Sequence, residues 1–237
     1  MPMQTHKMTP CQQAIYESVM NSFVSADPVI TIINAYPGAG LSTLMENILT
    51  SHGKCILNLA ARPALTGMKL LETFYYELGL GAEGIYHGAP IPSYVKELVS
   101  IQSISVVAIG DLDDFALTVS MKKTAVSHLS KMATALPGIS FLMSQSPLRG
   151  KAKCVVHQRE IIGSQNRSES ILQSFKSKQQ YMDYFEGFVQ TIGLRAVTTS
   201  VLSDLYVRTE GNLASTILNL CHPLLRAQWF VEPSKDE

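Results

Sequence analysis

The run Thr31-Ile32-Ile33-Asn34-Ala35-Tyr36-Pro37-Gly38-Ala39-Gly40-Leu41-Ser42-Thr43 has the order of a phosphate-binding loop from which the lysine is missing. A strand-like run, Val29 to Ile33, enters the Gly/Pro turn, and a helix-like run leaves it from Ser42, the context that gives such a match meaning. Backbone N–H groups in a turn of this kind cradle phosphates, helped by the positive end of the following helix. The candidate phosphate-site residues are therefore Tyr36, Pro37, Gly38, Ala39, Gly40, Leu41, Ser42 and Thr43. Ser42 stands where a hydroxyl would bind Mg²⁺, and Leu41 where a lysine would reach the β- and γ-phosphates. A charged donor on a phosphate is worth roughly 1.5–3 kcal/mol, so its loss weakens binding by about one to two decades.

Hydrolysis needs three further groups, and each has a candidate position. An acidic pair closing the third strand would hold Mg²⁺ and polarise the attacking water. Val106-Val107-Ala108-Ile109 leads into Gly110-Asp111-Leu112-Asp113-Asp114. One register puts Gly110 at the metal position with Asp111 next to it. The other makes Asp111 the metal residue and puts Leu112 where the catalytic glutamate belongs. Neither yields the pair, and an acidic strand-to-helix turn is the plainer alternative. A polar residue ending the fourth strand would sense the γ-phosphate; Ile139-Ser140-Phe141-Leu142-Met143 is followed by Ser144-Gln145-Ser146, so Ser144 or Gln145 fits, as would an ordinary polar strand end. An arginine on the helical part would reach back to the phosphates, but in Leu205 to Ala214 its place is held by Ala214. The six histidines show no metal-ligand spacing, and there is no G-x-S-x-G elbow.

The elements that position these residues follow from periodicity. Helix is expected over Thr9 to Phe23, Ser42 to Thr50, Met68 to Leu80, Ser93 to Ile101 and Val119 to Leu136. Strands are expected over Val29 to Ile33, Cys55 to Leu59, Ser105 to Ile109 and Ile139 to Met143, with a fifth inside Cys154 to Ile162. Strands alternating with helices imply an α/β fold with a mainly parallel five-stranded sheet and ligands at the strands' carboxyl ends. Ser164 to Ser170 reads as a polar linker, followed by helices over Lys178 to Ile192, Val197 to Arg208 and Leu213 to Val231. The expected division is an α/β core over 1–163 and a small C-terminal helical lid domain over 164–237.

Composition narrows the function classes. In 237 residues, 46% are hydrophobic, enough to bury both parts, and 19 basic residues balance 19 acidic ones. Zero net charge argues against a surface-wide footprint for nucleic acid. Arg149, Lys151 and Lys153, and separately Lys122-Lys123, are local candidates for DNA phosphates beside their reading as solvated loop and helix residues. Cys11, Cys55, Cys154 and Cys221 lack metal or redox spacing and read as reduced thiols of a cytoplasmic protein. No apolar run reaches membrane-spanning length, and no signal-peptide pattern opens the chain. Trp229 and Phe230 read as the end of the helical core, or as an anchor for a partner.

The chain resembles the AAA+ regulators of DNA transposition, the TniB, TnsC and MuB group, with broader similarity to ExeA-type ATPases. The resemblance runs from Pro10 to Phe230 and rests on Tyr36-Pro37-Gly38-Ala39-Gly40 with Ser42-Thr43-Leu44, the turn after the third strand, and Thr209-Glu210-Gly211-Asn212-Leu213. It implies a P-loop NTPase (AAA+) that binds ATP or ADP with Mg²⁺ between subunits, contacts DNA, and works with a transposase or target-selection protein. Its subunit partners would be other AAA+ chains or copies of itself. Gly38, Gly40, Ser42 and Thr43 would line the phosphates, Asp111 would sit near the metal, and Arg159 would reach the neighbour's nucleotide. A solvent-exposed strand arginine is the plainer reading of Arg159. The departures at Leu41, at Gly110-Asp111-Leu112 and at Ala214 all face the same ligand. The favoured reading is a pseudo-ATPase with weakened nucleotide binding, acting as a regulator or adaptor. The alternatives are a working ATPase in which Lys54 or Arg149 replaces the lysine, and an interaction module with no nucleotide.

Overall fold

The computed structural model describes residues 8–25, 27–52, 55–59, 69–81, 89–146, 154–194, 197–222 and 225. The chain alternates as α1 (Pro10–Val24), β1 (Val29–Ala35), α2 (Leu41–His52), β2 (Ile56–Leu59), α3 (Leu70–Glu77), α4 (Ser93–Ile101) and β3 (Val106–Ile109). It continues with α5 (Val119–Ala135), β4 (Ser140–Gln145), β5 (Asn166–Leu172), α6 (Lys178–Thr191), α7 (Thr199–Thr209) and α8 (Leu213–Cys221). Every strand pairing is parallel, in the order β2-β3-β4-β1-β5.

One expectation fails here. The fifth strand is not within Cys154 to Ile162, which holds a 3₁₀ turn at Gln158–Glu160 and no strand. It is Asn166–Leu172, which takes in most of the stretch read as a polar linker and carries the sheet beyond Gly163. The reason is its place in the sheet. β5 pairs with β1 only, so most of its side chains are exposed or half-buried and polar residues are tolerated. Val155 and Val156 are buried without joining the sheet.

The inner strands are buried on both faces, which explains their unbroken apolar runs. Successive β1 side chains alternate between two clusters. Ile30 and Ile32 join Val107, Ile109, Phe141 and Met143 beneath α3, α4 and α5. Ile33 and Ala35 join Val106, Ala108 and Leu142 beneath α1 and α2. From β1 the chain leaves toward β2, and from β4 it leaves toward β5 on the other side. The β1–β4 boundary is thus a topological switch point, with its crevice at the carboxyl ends where the glycine turn lies.

Helices α6, α7 and α8 build their own aromatic core around Tyr181, Phe185, Leu202, Leu205 and Leu220, with Phe175 packed against it. The Tyr181 ring lies 4.6 Å from that of Phe185, and its hydroxyl donates to Thr216 Oγ1 at 3.2 Å. Burial pushes the Tyr181 phenol above its usual 10.0, against the opposing pull of its bonds to Thr216 and Thr209. Burial raises Tyr184 likewise.

Both phenols are neutral in folded and unfolded chains below pH 10. Above it the unfolded chain releases these protons first, so stability falls as pH rises toward the folded values. The urea midpoint is expected to drop above pH 10, and the double variant Tyr181→Phe, Tyr184→Phe to flatten that drop. At neutral pH, losing the Tyr181 hydrogen bond should cost about 1 kcal/mol.

Candidate functional site

The turn after β1 is built as its composition requires. Tyr36 N–H donates to Leu172 O at 2.9 Å, tying the turn to the end of β5, and Ala39 N–H closes on Tyr36 O at 3.1 Å. Gly38 and Gly40 have φ of +73° and +83°, the left-handed region where a Cβ is strained. Helix α2 then begins, and Leu44 N–H reaches Gly40 O at 3.1 Å. The amides of Leu41, Ser42 and Thr43 come before it in the first turn, where helical geometry offers no carbonyl partner. This arrangement can receive an anion. Counting five places back from Gly40, the motif's first glycine is Ala35, which is buried in β1.

The position expected to hold a cation does something else. Leu41 is half-buried and packs against the apolar cluster beneath α1 and α2. Ser42 is exposed at the start of α2, Thr43 is half-buried, and Tyr36 and Pro37 are exposed.

Asp111 caps the 3₁₀ turn Leu112–Phe115, its Oδ1 accepting from Asp113 N–H at 3.1 Å. Leu112, at the alternative glutamate position, is fully buried among the apolar residues of α3–α5. Asp113 Oδ2 accepts from Ser146 N–H at 2.6 Å, binding the acidic turn to the end of β4. Among the described residues, no group of three or more His, Cys, Asp or Glu side chains could hold a metal ion. A Mg²⁺ site here would have the Ser42 hydroxyl and a carboxylate already engaged in capping, a poor donor set without a phosphate to complete it.

The ends of β4 are also engaged. Ser144 Oγ donates to Gly110 O. Gln145, 1% exposed, donates to Asn34 Oδ1 and Val156 O, both at 2.7 Å, and accepts from Val156 N–H at 3.0 Å. Asn34 in turn donates to Glu169 on β5. Arg159 is exposed on the 3₁₀ turn Gln158–Glu160 rather than on a strand. Beside it, Glu160 forms an ion pair with Lys122 at 2.9 Å. Burial raises the Glu160 carboxyl, but the bonds to Lys122 and to the His157 amide outweigh it and hold the group below its usual value. Lys122 is therefore an internal partner. Lys54, Arg149, Lys151, Lys153, Trp229 and Phe230 lie outside the described residues.

Two residues meet the turn directly: Gln12, which the sequence reading passed over, and Asn212, which it held only within the Thr209–Leu213 segment of the resemblance. Gln12, 1% exposed, donates from Nε2 to Gly40 O at 2.8 Å. Asn212 donates from Nδ2 to Pro37 O at 2.8 Å, and the next turn of α8 adds Ala214 N–H to Gly38 O at 3.1 Å. Ala214, at the expected arginine position, thus touches the loop through its backbone. The Thr209-Glu210-Gly211-Asn212 segment is the α7–α8 corner, with left-handed Glu210 and Gly211 at φ 51° and 70°.

No family model matches this chain, and no curated protein matches it significantly. Solved structures do match. The Cdc6p protein of Pyrobaculum aerophilum aligns with 96% of this chain at 12% identity and a TM-score of 0.59. The ORC1 protein of Aeropyrum pernix, solved in complex with DNA, aligns with 96% at 10% identity and a TM-score of 0.57. The ORC2 protein of the same organism, solved as ADPNP–ADP complexes, aligns with 95% at 16% identity and a TM-score of 0.53. This chain spans 65%, 63% and 65% of their respective lengths.

A methyl at Gly38 would impose the left-handed penalty of about 1–2 kcal/mol, and it would also strike the Asn212 amide. Gly38→Ala is expected to lose at least that much in urea unfolding. Gly138→Ala, where an added Cβ meets nothing within 4 Å, should change little. The parallel sheet, its strand order and these structural matches together give the chain the α/β fold of the P-loop AAA+ ATPases.

Proposed function

We propose that the chain is a hydrolysis-impaired AAA+ protein that acts as a regulator or adaptor in a DNA transaction, with DNA transposition as the specific reading. It would work in the cytoplasm through contacts with copies of itself, with other AAA+ subunits, or with a transposase or target-selection protein. The observation that carries this reading is Leu41, which packs into the apolar cluster beside a turn that otherwise keeps the form of a phosphate cradle. The amides of Gly38, Gly40, Leu41, Ser42 and Thr43 would hold the phosphates of ATP or ADP. Such binding supplies charge and a ligand-dependent surface rather than turnover. The two-part layout belongs to the same reading, with α6–α8 as the lid over the core.

Among the described residues, the positions that would carry cleavage are otherwise engaged. Asp111 is engaged in capping, Leu112 is buried, Ser144 donates to Gly110 O, and Ala214 presents only backbone. Arg159 stays available on the surface as a group that could reach a neighbouring subunit's ligand. That the ORC1 protein solved in complex with DNA shares the fold supports a DNA-associated setting, and the transposition role rests on the resemblance in sequence. A second reading, an interaction module without nucleotide, is favoured by one observation: Gln12 and Asn212 occupy the space beside both glycines, which accounts for the glycines without any ligand.

Titration calorimetry with ATP and ADP, with and without Mg²⁺, separates these readings. The expected result is weak binding with no steady-state phosphate release, with or without DNA. Leu41→Lys should tighten binding by about one to two decades, while losing about 1 kcal/mol of stability as apolar contact is given up. No binding in either protein would leave the interaction module standing. Robust hydrolysis abolished by Asp111→Asn would overturn the proposal.

A further inference from the structure

The turn between β1 and α2 is gripped on its carbonyls from two sides. From α1, Gln12 makes a double connection: its Oε1 accepts from Thr9 N–H at 2.7 Å, closing the helix cap, while its Nε2 donates to Gly40 O at 2.8 Å. From α8, Asn212 does the same. Its Oδ1 accepts from Ser215 N–H at 2.9 Å as the helix cap, and its Nδ2 donates to Pro37 O at 2.8 Å. Ala214 N–H adds a bond to Gly38 O at 3.1 Å, and Leu213 N–H is held by Ser174 Oγ at 3.2 Å. Each amide side chain thus spends its acceptor on its own helix and its donor on the turn. None of these bonds involves a charged group.

We infer that Asn212, with the Ala214 amide, forms a latch that keeps α8 and the helices packed with it seated on the β1–α2 turn whether or not nucleotide is present, while Gln12 fixes the same turn from α1. The donors act on outward carbonyls and leave the first-turn amides of α2 free, so the latch and an anion can coexist. Its consequence is a helical part whose resting state is already closed. This goes beyond the proposed function, since the latch operates equally if no nucleotide ever binds.

Two conservative variants remove only the donors. Asn212→Asp keeps the cap, because aspartate serves at that position as well as asparagine and suits the helix dipole, but it has no hydrogen to give Pro37 O. Gln12→Glu keeps the acceptor for Thr9 N–H and loses the bond to Gly40 O. Amide hydrogen exchange on the full chain reads the result, above neutral pH so that the new carboxyls are charged. In the unmodified protein, the Ala214 amide should be equally protected alone, with ADP and Mg²⁺, and with ATP and Mg²⁺. In N212D its exchange should quicken by about tenfold, with the Asn219 and Leu220 amides and those of β1 unchanged. Q12E should quicken exchange at the Ala39 amide as the turn loosens, and if N212D does not fold, Asn212→Ser, which also caps without donating to Pro37 O, is read at the Ala214 amide instead. Unaltered Ala214 protection in N212D, or protection in the unmodified protein that arises only on adding nucleotide, would overturn the inference.

Discussion

Backbone polar groups drawn away from water must find partners, and the half-buried turn at residues 36–40 finds most of them outside itself. The carbonyls of Pro37, Gly38 and Gly40 accept from Asn212, the cap of α8, from Ala214 of α8 and from Gln12 of α1. One end of the parallel sheet, the N-terminal helix and the helical bundle therefore converge on a few peptide units. The glycines follow from this. Their backbone lies where a side chain is strained, and the neighbouring amides leave no room for one.

The same convergence governs the chemistry. The side chains at the strand ends are tied to protein. Asp111 stabilises its own turn, Ser144 bonds across to Gly110, and Gln145 is fixed between Asn34 and the Val156 backbone. A buried amide with all of these bonds cannot turn toward a phosphate without leaving polar atoms unpaired, which costs about 1–3 kcal/mol for each group. Leu41 completes the pattern by exchanging a charge for apolar contact. Beside these tied groups, the turn still offers the first-turn amides of α2 and the exposed Ser42 hydroxyl.

The inner strands and most helices could be read from the residues because burial on both faces writes itself as an apolar run, and burial on one face as a 3.6-residue stripe. The turn was legible because its glycines and its flanking elements occur together. β5 was not. Asn166-Arg167-Ser168-Glu169-Ser170 faces solvent along most of its length, so its strand character comes from β1's need for a partner rather than from its own composition. Gln12 and Asn212 carried only local signals, as third residue of a Thr-capped helix and as a helix cap. Their second bonds span 28 and 175 positions, and no short-range pattern encodes such a reach.

The strand order also bears on how the chain assembles. β1 emerges first but ends up between β4 and β5, so both of its edges stay open until the late strands arrive. One of them belongs to a segment with little apolar drive of its own. Long-range parallel pairing of this kind is slow, and an unpaired apolar strand is a template for association with other chains. During synthesis, Val29–Ala35 is thus a stretch that needs shielding, and a truncation before Asn166 would leave its β5-side edge unpaired permanently.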